Sequence, residues 1–129
     1  MTPLIPVSVG ELVDKITILE IKKENFTDKE KLKNVERELN DLRSTLKTLE
    51  LPDTFNLFYQ LYEVNKKLWV IEDNIRQKES VKEFDEEFIE LARSVYYTND
   101  VRASLKKELN ILVGSTLIEE KQYDEYAEV

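Results

Sequence analysis

Apolar residues recur at spacings of three and four along most of this chain, and the rhythm breaks at Asn25-Phe26, at Pro52-Asp53 and near Ser80. Such spacing puts one apolar stripe on each helix. The opening carries Pro3 and Pro6 and is predicted extended, because the residue before a proline is pushed out of the α region. Ser8-Val9-Gly10-Glu11 fits a capping box, and a helix follows over about residues 9–24. Its stripe of Leu12, Ile16 and Leu19 is widened by Val13, Ile18 and Ile21, and so broad an arc implies more than one neighbour. Thr27-Asp28-Lys29-Glu30 gives a second capping box, opening a helix that runs to about Leu49. There Leu32, Val35, Leu39, Leu42, Leu46 and Leu49 form a heptad row. That row serves either a bundle interior or the seam of a homo-oligomer.

A third helix is predicted over about residues 54–78, with Leu57, Leu61, Val64, Leu68, Ile71 and Ile75 inward. Beside that stripe runs a second one, Phe58, Tyr62, Asn65, Trp69, Glu72, Arg76 and Glu79, mixing aromatic and polar groups. Ser80-Val81-Lys82-Glu83 matches a third capping box, and the fourth helix then runs from Val81 or Phe84 to Val113, with Gly114 at its C-terminal cap. Its core row is Phe84, Phe88, Leu91, Val95, Leu105, Leu109 and Leu112. Tyr96 to Asp100 interrupt the stripe: either the helix continues and turns Thr98 and Val101 inward, or it breaks and restarts with Thr98 or Asn99 as cap, and continuity is the favoured reading. In the tail, Leu117, Ile118, Tyr123 and Tyr126 are anchors along the bundle, and Thr116 to Ile118 a candidate strand partner for the N-terminus. The fold class is therefore all-α: an antiparallel bundle of four main helices over residues 1–129, with an extended N-terminal segment and a C-terminal tail packed on it.

Composition narrows the chemistry. A net charge of −8 lacks the field that gathers nucleic acid or anionic lipid, so neither is an expected partner. No apolar run approaches the ~20 residues that span a bilayer, no basic leader opens the chain, and the expected location is the cytoplasm. With no Cys and no His, thiol and imidazole catalysis and thiolate or imidazole metal sites are excluded. Two glycines cannot build a phosphate-cradling loop. Acid pairs such as Glu11 with Asp14 and Glu87 with Glu90 resemble the metal-holding pairs of all-α nucleotide pyrophosphohydrolases. With 27 acids in 129 residues such pairs arise by chance, and these fall on faces that read as solvated. No cofactor and no metal site is expected.

The candidate site is the mixed ribbon of the third and fourth helices: Trp69, Glu72, Asp73 and Arg76 on one, and Arg93, Tyr96, Asn99, Asp100, Arg102 and Lys106 on the other. Antiparallel packing through a short link brings Glu72 or Asp73 level with Arg93, an ion pair that would fix helix register. As a binding site, arginine forks suit a carboxylate or phosphate and Trp69 suits an anchor. The functional expectation is a non-enzymatic binding or interaction module with a protein partner, and the alternative a protein or enzyme acting on a small anionic ligand.

The strings PVSVGELVDKITILEIK, NVERELNDL, VNKKLWVIEDNIRQKE, FIELARSVYYTNDVRASLKKELN and GSTLIEEKQY resemble an uncharacterised family of short bacterial proteins, a domain of unknown function. The resemblance covers nearly the whole chain. It implies one complete domain from a bacterium or its phage, and it carries no activity and no functional residue across.

Overall fold

A computed structural model describes residues 1–122, which form α1 (Val9–Asn25), α2 (Lys29–Thr48), α3 (Phe55–Ser80) and α4 (Glu86–Val113). The described chain is an all-α four-helix bundle. α1 packs against each of the other three, α3 also lies along α4, and among the described residues α2 pairs with α1 alone. The wide arc on α1 accounts for this. One side of it, Leu12, Ile16 and Leu19, meets Val35 and Leu39 of α2. The other, Val13, meets Leu57 and Leu61 of α3 and Leu105 and Leu109 of α4. The heptad row of α2 is thus turned toward α1, with Leu49 at its end left exposed.

The start of α1 shows how the ends interlock. The first N–H groups of a helix have no partner inside it. Here Val9 N–H donates to Ser115 Oγ at 3.2 Å, Gly10 N–H to Asn110 Oδ1 at 2.6 Å, Glu11 N–H to Ser8 Oγ at 3.0 Å and Leu12 N–H to the Ser8 carbonyl at 3.1 Å. Only half of the predicted capping box forms, because the Glu11 carboxylate is drawn to Lys106 Nζ at 2.7 Å. At α2 the cap is Asp28, one residue later than the box implied.

The third capping box does not form. Ser80 closes α3 instead, its hydroxyl donating to the Gln77 carbonyl at 2.7 Å. Lys82 takes a left-handed turn at φ 54°, and Asp85 caps α4 by accepting from Phe88 N–H at 2.9 Å. Asp85 followed by Glu86 and Glu87 is the stronger start, since acids in a first turn oppose the positive helix end. Lys78 closes the link, with Asp85 at 2.9 Å, Glu87 at 3.1 Å and Glu83 at 3.4 Å. α4 is unbroken through Thr98 to Asp100. Thr98 is buried as read, but Val101 is half-exposed. Phe84 and Leu112, expected in the core, are exposed: Phe84 lies in the link with its ring edge-on to Phe88, and Leu112 lies off the row through which Leu109 and Val113 pack.

Polar contacts, not apolar anchors, join the chain ends. Leu4 and Ile5 are 94% and 72% exposed, Leu117 and Ile118 are also exposed, and no strand forms among the described residues. The tail is held by Lys106 to Glu119 at 2.9 Å and Lys107 to Glu120 at 3.1 Å. Tyr123 and Tyr126 lie outside the described residues.

The two glycines have different roles, and this yields a prediction. A Cβ on Gly10 would sit 2.6 Å from the Lys106 carbonyl oxygen and 3.0 Å from the Asn110 side chain, whereas one on Gly114 would meet nothing within 4 Å. Gly114 is instead required by φ, at +67° in the left-handed cap. Gly10→Ala should cost about 1–3 kcal/mol by overpacking, and Gly114→Ala about 1 kcal/mol by backbone strain. Urea denaturation of both variants checks the order; equal or reversed losses would mean that α1 and α4 can separate freely at Gly10.

Candidate functional site

Asp14 is the best-buried acid of the described chain, at 1% exposure, on the α1 face between α3 and α4. Isolated there, a carboxylate would cost several kcal/mol in lost hydration. It is answered from two helices. Arg102 of α4 grips it with a two-pronged fork, Nε to Oδ1 at 2.9 Å and Nη2 to Oδ2. From α3, Asn65 Nδ2 donates to Oδ1 at 2.8 Å and to Thr17 Oγ1 at 2.8 Å. The Thr17 hydroxyl donates in turn to the Asp14 carbonyl at 2.7 Å. Among the described residues no buried side-chain nitrogen or oxygen lacks a partner.

The ladder continues toward the chain ends. Lys106 Nζ, one turn beyond Arg102, pairs with Glu11 at 2.7 Å and Glu119 at 2.9 Å, and Asn110 takes the Gly10 amide. Positions rise along α1 as they fall along α4, so the two helices run antiparallel in a fixed register. Burial works against the charge on Lys106, but its hydrogen bonds to Glu11 and Glu119 prevail and its pKa is raised. The hydrogen bond to Asp14 likewise raises that of Arg102. Lys106 holds the Glu119 carboxyl below its ordinary value.

Beside the Arg102 end of this seam, α1, α3 and α4 enclose an open groove of about 480 Å³. Ile18, Leu68 and Val95 give it an apolar floor, and Trp69 forms a wall, steadied by the Phe26 ring at 6.0 Å. Glu72, Asp73 and Arg76 line one end, and Asn65, Asn99 and Arg102 the other. Glu72 and Arg76 pair with each other at 3.1 Å on the exposed face of α3.

The structure therefore brings together Trp69, Glu72, Asp73, Arg76, Asn99 and Arg102 of the sequence candidates, and leaves four outside the groove lining. Arg93 does not reach Glu72 or Asp73. It bonds the Tyr97 hydroxyl at 3.0 Å and lies 3.4 Å from Glu90, and the Tyr96 and Tyr97 hydroxyls raise its pKa. The register estimate puts it level with α3, but Arg93 shares a row with Glu90 and Tyr97, one face away from Val95, Asn99 and Arg102. Tyr96 and Asp100 are exposed, and Lys106 belongs to the seam. Asp14, read as solvated, is the main correction. Its row on α1 is Gly10, Asp14, Thr17 and Ile21, whose small members admit two helices closely. Thr17, which the apolar period does not single out, completes the network. A polar residue in one helical row with Gly10, Thr17 and Ile21, next to Val13, is the available signal.

Fold and site together define a helical-bundle protein with a buried acid–guanidinium seam and an aromatic-walled groove at its end. The chain belongs to a family of unknown function, DUF6165, whose model matches residues 4–128. No curated protein and no solved structure matches it. No helix among the described residues is long and apolar enough to cross a membrane, and no group of three or more acids among them converges as a metal site would require.

Two predictions follow from the seam. Arg102→Ala strands a buried carboxylate and should cost about 3–5 kcal/mol. Arg102→Met combined with Asp14→Asn leaves no unpaired charge and should recover most of that loss. Denaturation curves of the two variants test this, and a double variant as unstable as Arg102→Ala would show that the charges themselves are required.

The second concerns acid. Because the folded Glu119 carboxyl is held below its ordinary value, its contribution is complete above that value and disappears as pH falls through the lowered one. Urea midpoints from about pH 7 to about pH 3 should therefore fall less steeply for Glu119→Gln than for the unmodified chain. Parallel curves would contradict the clasp.

Proposed function

We propose that this chain is a non-enzymatic binding module and that the groove between α3 and α4 is its binding face. One observation carries the reading: the groove combines an apolar floor and an indole wall with polar groups that are largely committed already. Arg102 is engaged through Nε and Nη2 by the buried Asp14, and Arg76 pairs through Nε with Glu72, so the better-placed guanidinium is not held free for a transferring group. Asp14, Asn65 and Thr17 saturate one another, which is what a register-fixing network requires. Asp73 and Asn99 have no hydrogen bond or ion pair to another described side chain and stand at the groove to meet a ligand. Trp in a partly covered hollow is the residue type that dominates binding energies. A location in the cytoplasm accords with the absence of Cys.

An anionic ligand finds less here. It would meet the Nη1 edge of Arg102, whose charge Asp14 already balances, and the exposed Arg76, which has Glu72 beside it.

The chain has a single Trp, so Trp69 emission reports the groove directly. Thermal unfolding and Trp69 emission should be followed together against short peptides, nucleotides, sugar phosphates and carboxylates. A ligand at 100 times its Kd adds about 2.7 kcal/mol. We expect peptide ligands to raise the Tm and shift Trp69 emission together. Stabilisation without any change at Trp69 would place binding elsewhere, and a response confined to phosphates would favour the anionic reading.

A further inference from the structure

We infer that the groove receives the cationic head of an arginine or lysine side chain presented by a partner protein. This rests on the groove being the binding face, and it assigns the chemistry of what enters. Charge decides the sign. The lining sets Glu72 and Asp73 against Arg76 and Arg102, and Asp14, bonded to Arg102 from beneath, adds a third carboxylate, so three acids face two guanidiniums and Asp73 is the one with no ion pair. Lys15 and Lys22 stand one turn either side of Ile18 on α1, but neither is part of the lining. The chain as a whole carries −8, which draws cations toward it and repels anions.

Shape decides the form. Glu72 and Asp73 follow Trp69 by three and four positions on α3, so the indole and the carboxylates share one face within a turn. Trp is the most favourable ring for a cation over its face. Leu68, Val95 and Ile18 continue that surface as an apolar track, suited to the methylene stem of a basic side chain whose head stays wet. A free metabolite asks for enclosure on most of its surface. This groove lies open between exposed rims, which admits a side chain protruding from a second protein. Arginine fits better than lysine, because its flat guanidinium stacks on the indole and still offers an edge to Asp73.

The test uses three capped pentapeptides, Gly-Gly-Xaa-Gly-Gly with arginine, citrulline or glutamate in the centre, and n-butylguanidinium as a free cation. Each is titrated into the full chain, with Trp69 emission and two-dimensional NMR as readouts. Citrulline keeps the shape of arginine without the charge. The arginine peptide should bind roughly three- to thirty-fold tighter than the citrulline peptide, and the glutamate peptide more weakly still. Asp73→Asn should reduce arginine-peptide affinity roughly two- to five-fold and leave citrulline-peptide affinity unchanged. If the citrulline or glutamate peptide binds as well as the arginine peptide and moves Trp69, the charge assignment is wrong while the groove stands. If n-butylguanidinium binds ten-fold tighter than the arginine peptide, the source is a free cation and the partner assignment is overturned. Silence from every probe at tens of millimolar, with the fold intact by circular dichroism, removes the groove itself as the binding face.

Discussion

A carboxylate removed from water has to be met by donors held in place, and Asp14 obtains its donors from two other helices. The Arg102 fork comes from α4 and the Asn65 amide from α3, so neither helix can slide or rotate on α1 without exposing an unmatched charge. Replacing a buried pair by apolar residues is often neutral or even favourable, whereas removing one partner is costly. The network therefore sets which packing is adopted more than how stable it is. Apolar contacts at Val13, Leu57, Leu61, Leu105 and Leu109 supply the attraction, but leucines of similar shape would tolerate a neighbouring register. Asp14 does not.

Function, as proposed, borrows its geometry from this constraint. The groove lies between α1, α3 and α4 beside the point where Arg102 and Asn65 are pinned to α1. Pinning also withdraws Arg102 from service as a free anion receptor, leaving Asp73 and the Trp69 face as the outward chemistry. On the proposed reading the same side chain holds the helices and sets the sign of what the groove would attract. On the far side, α2 rests on α1 through Val35 and Leu39 and contributes no residue to the Asp14 network or to the groove lining.

Much of the fold was legible because α-helical period and caps are local. The stripes of Leu12, Ile16 and Leu19 and of Leu57 and Leu61, the Ser8 cap and the Gly114 stop needed no tertiary information. The misread capping box at Ser80 shows the limit: two starts were available within five residues, and the ion pairs of Lys78 with Asp85 and Glu87 belong to the turn that was chosen. Of the candidate residues, Trp69, Glu72, Asp73, Arg76, Asn99 and Arg102 line one groove, which their spacing along two helices suggests. Arg93 was misassigned because level and face are separate quantities, and a register argument yields only the level. Asp14 was missed for a deeper reason. An acid on an amphipathic helix is ordinarily solvated, and only the arrival of Arg102, 88 positions away, makes its burial tolerable.

If the buried carboxylate unites three helices, then α1, α3 and α4 must open together. Native-state hydrogen exchange measures this most directly. Amides around Asp14, Asn65 and Arg102 should exchange only through one shared opening, at the free energy of global unfolding. Those of α2, which has few buried side chains and one helical neighbour among the described residues, should exchange through a smaller, cheaper opening. A separate low-energy opening of α4 or α3 from α1, with α2 remaining protected, would contradict the account.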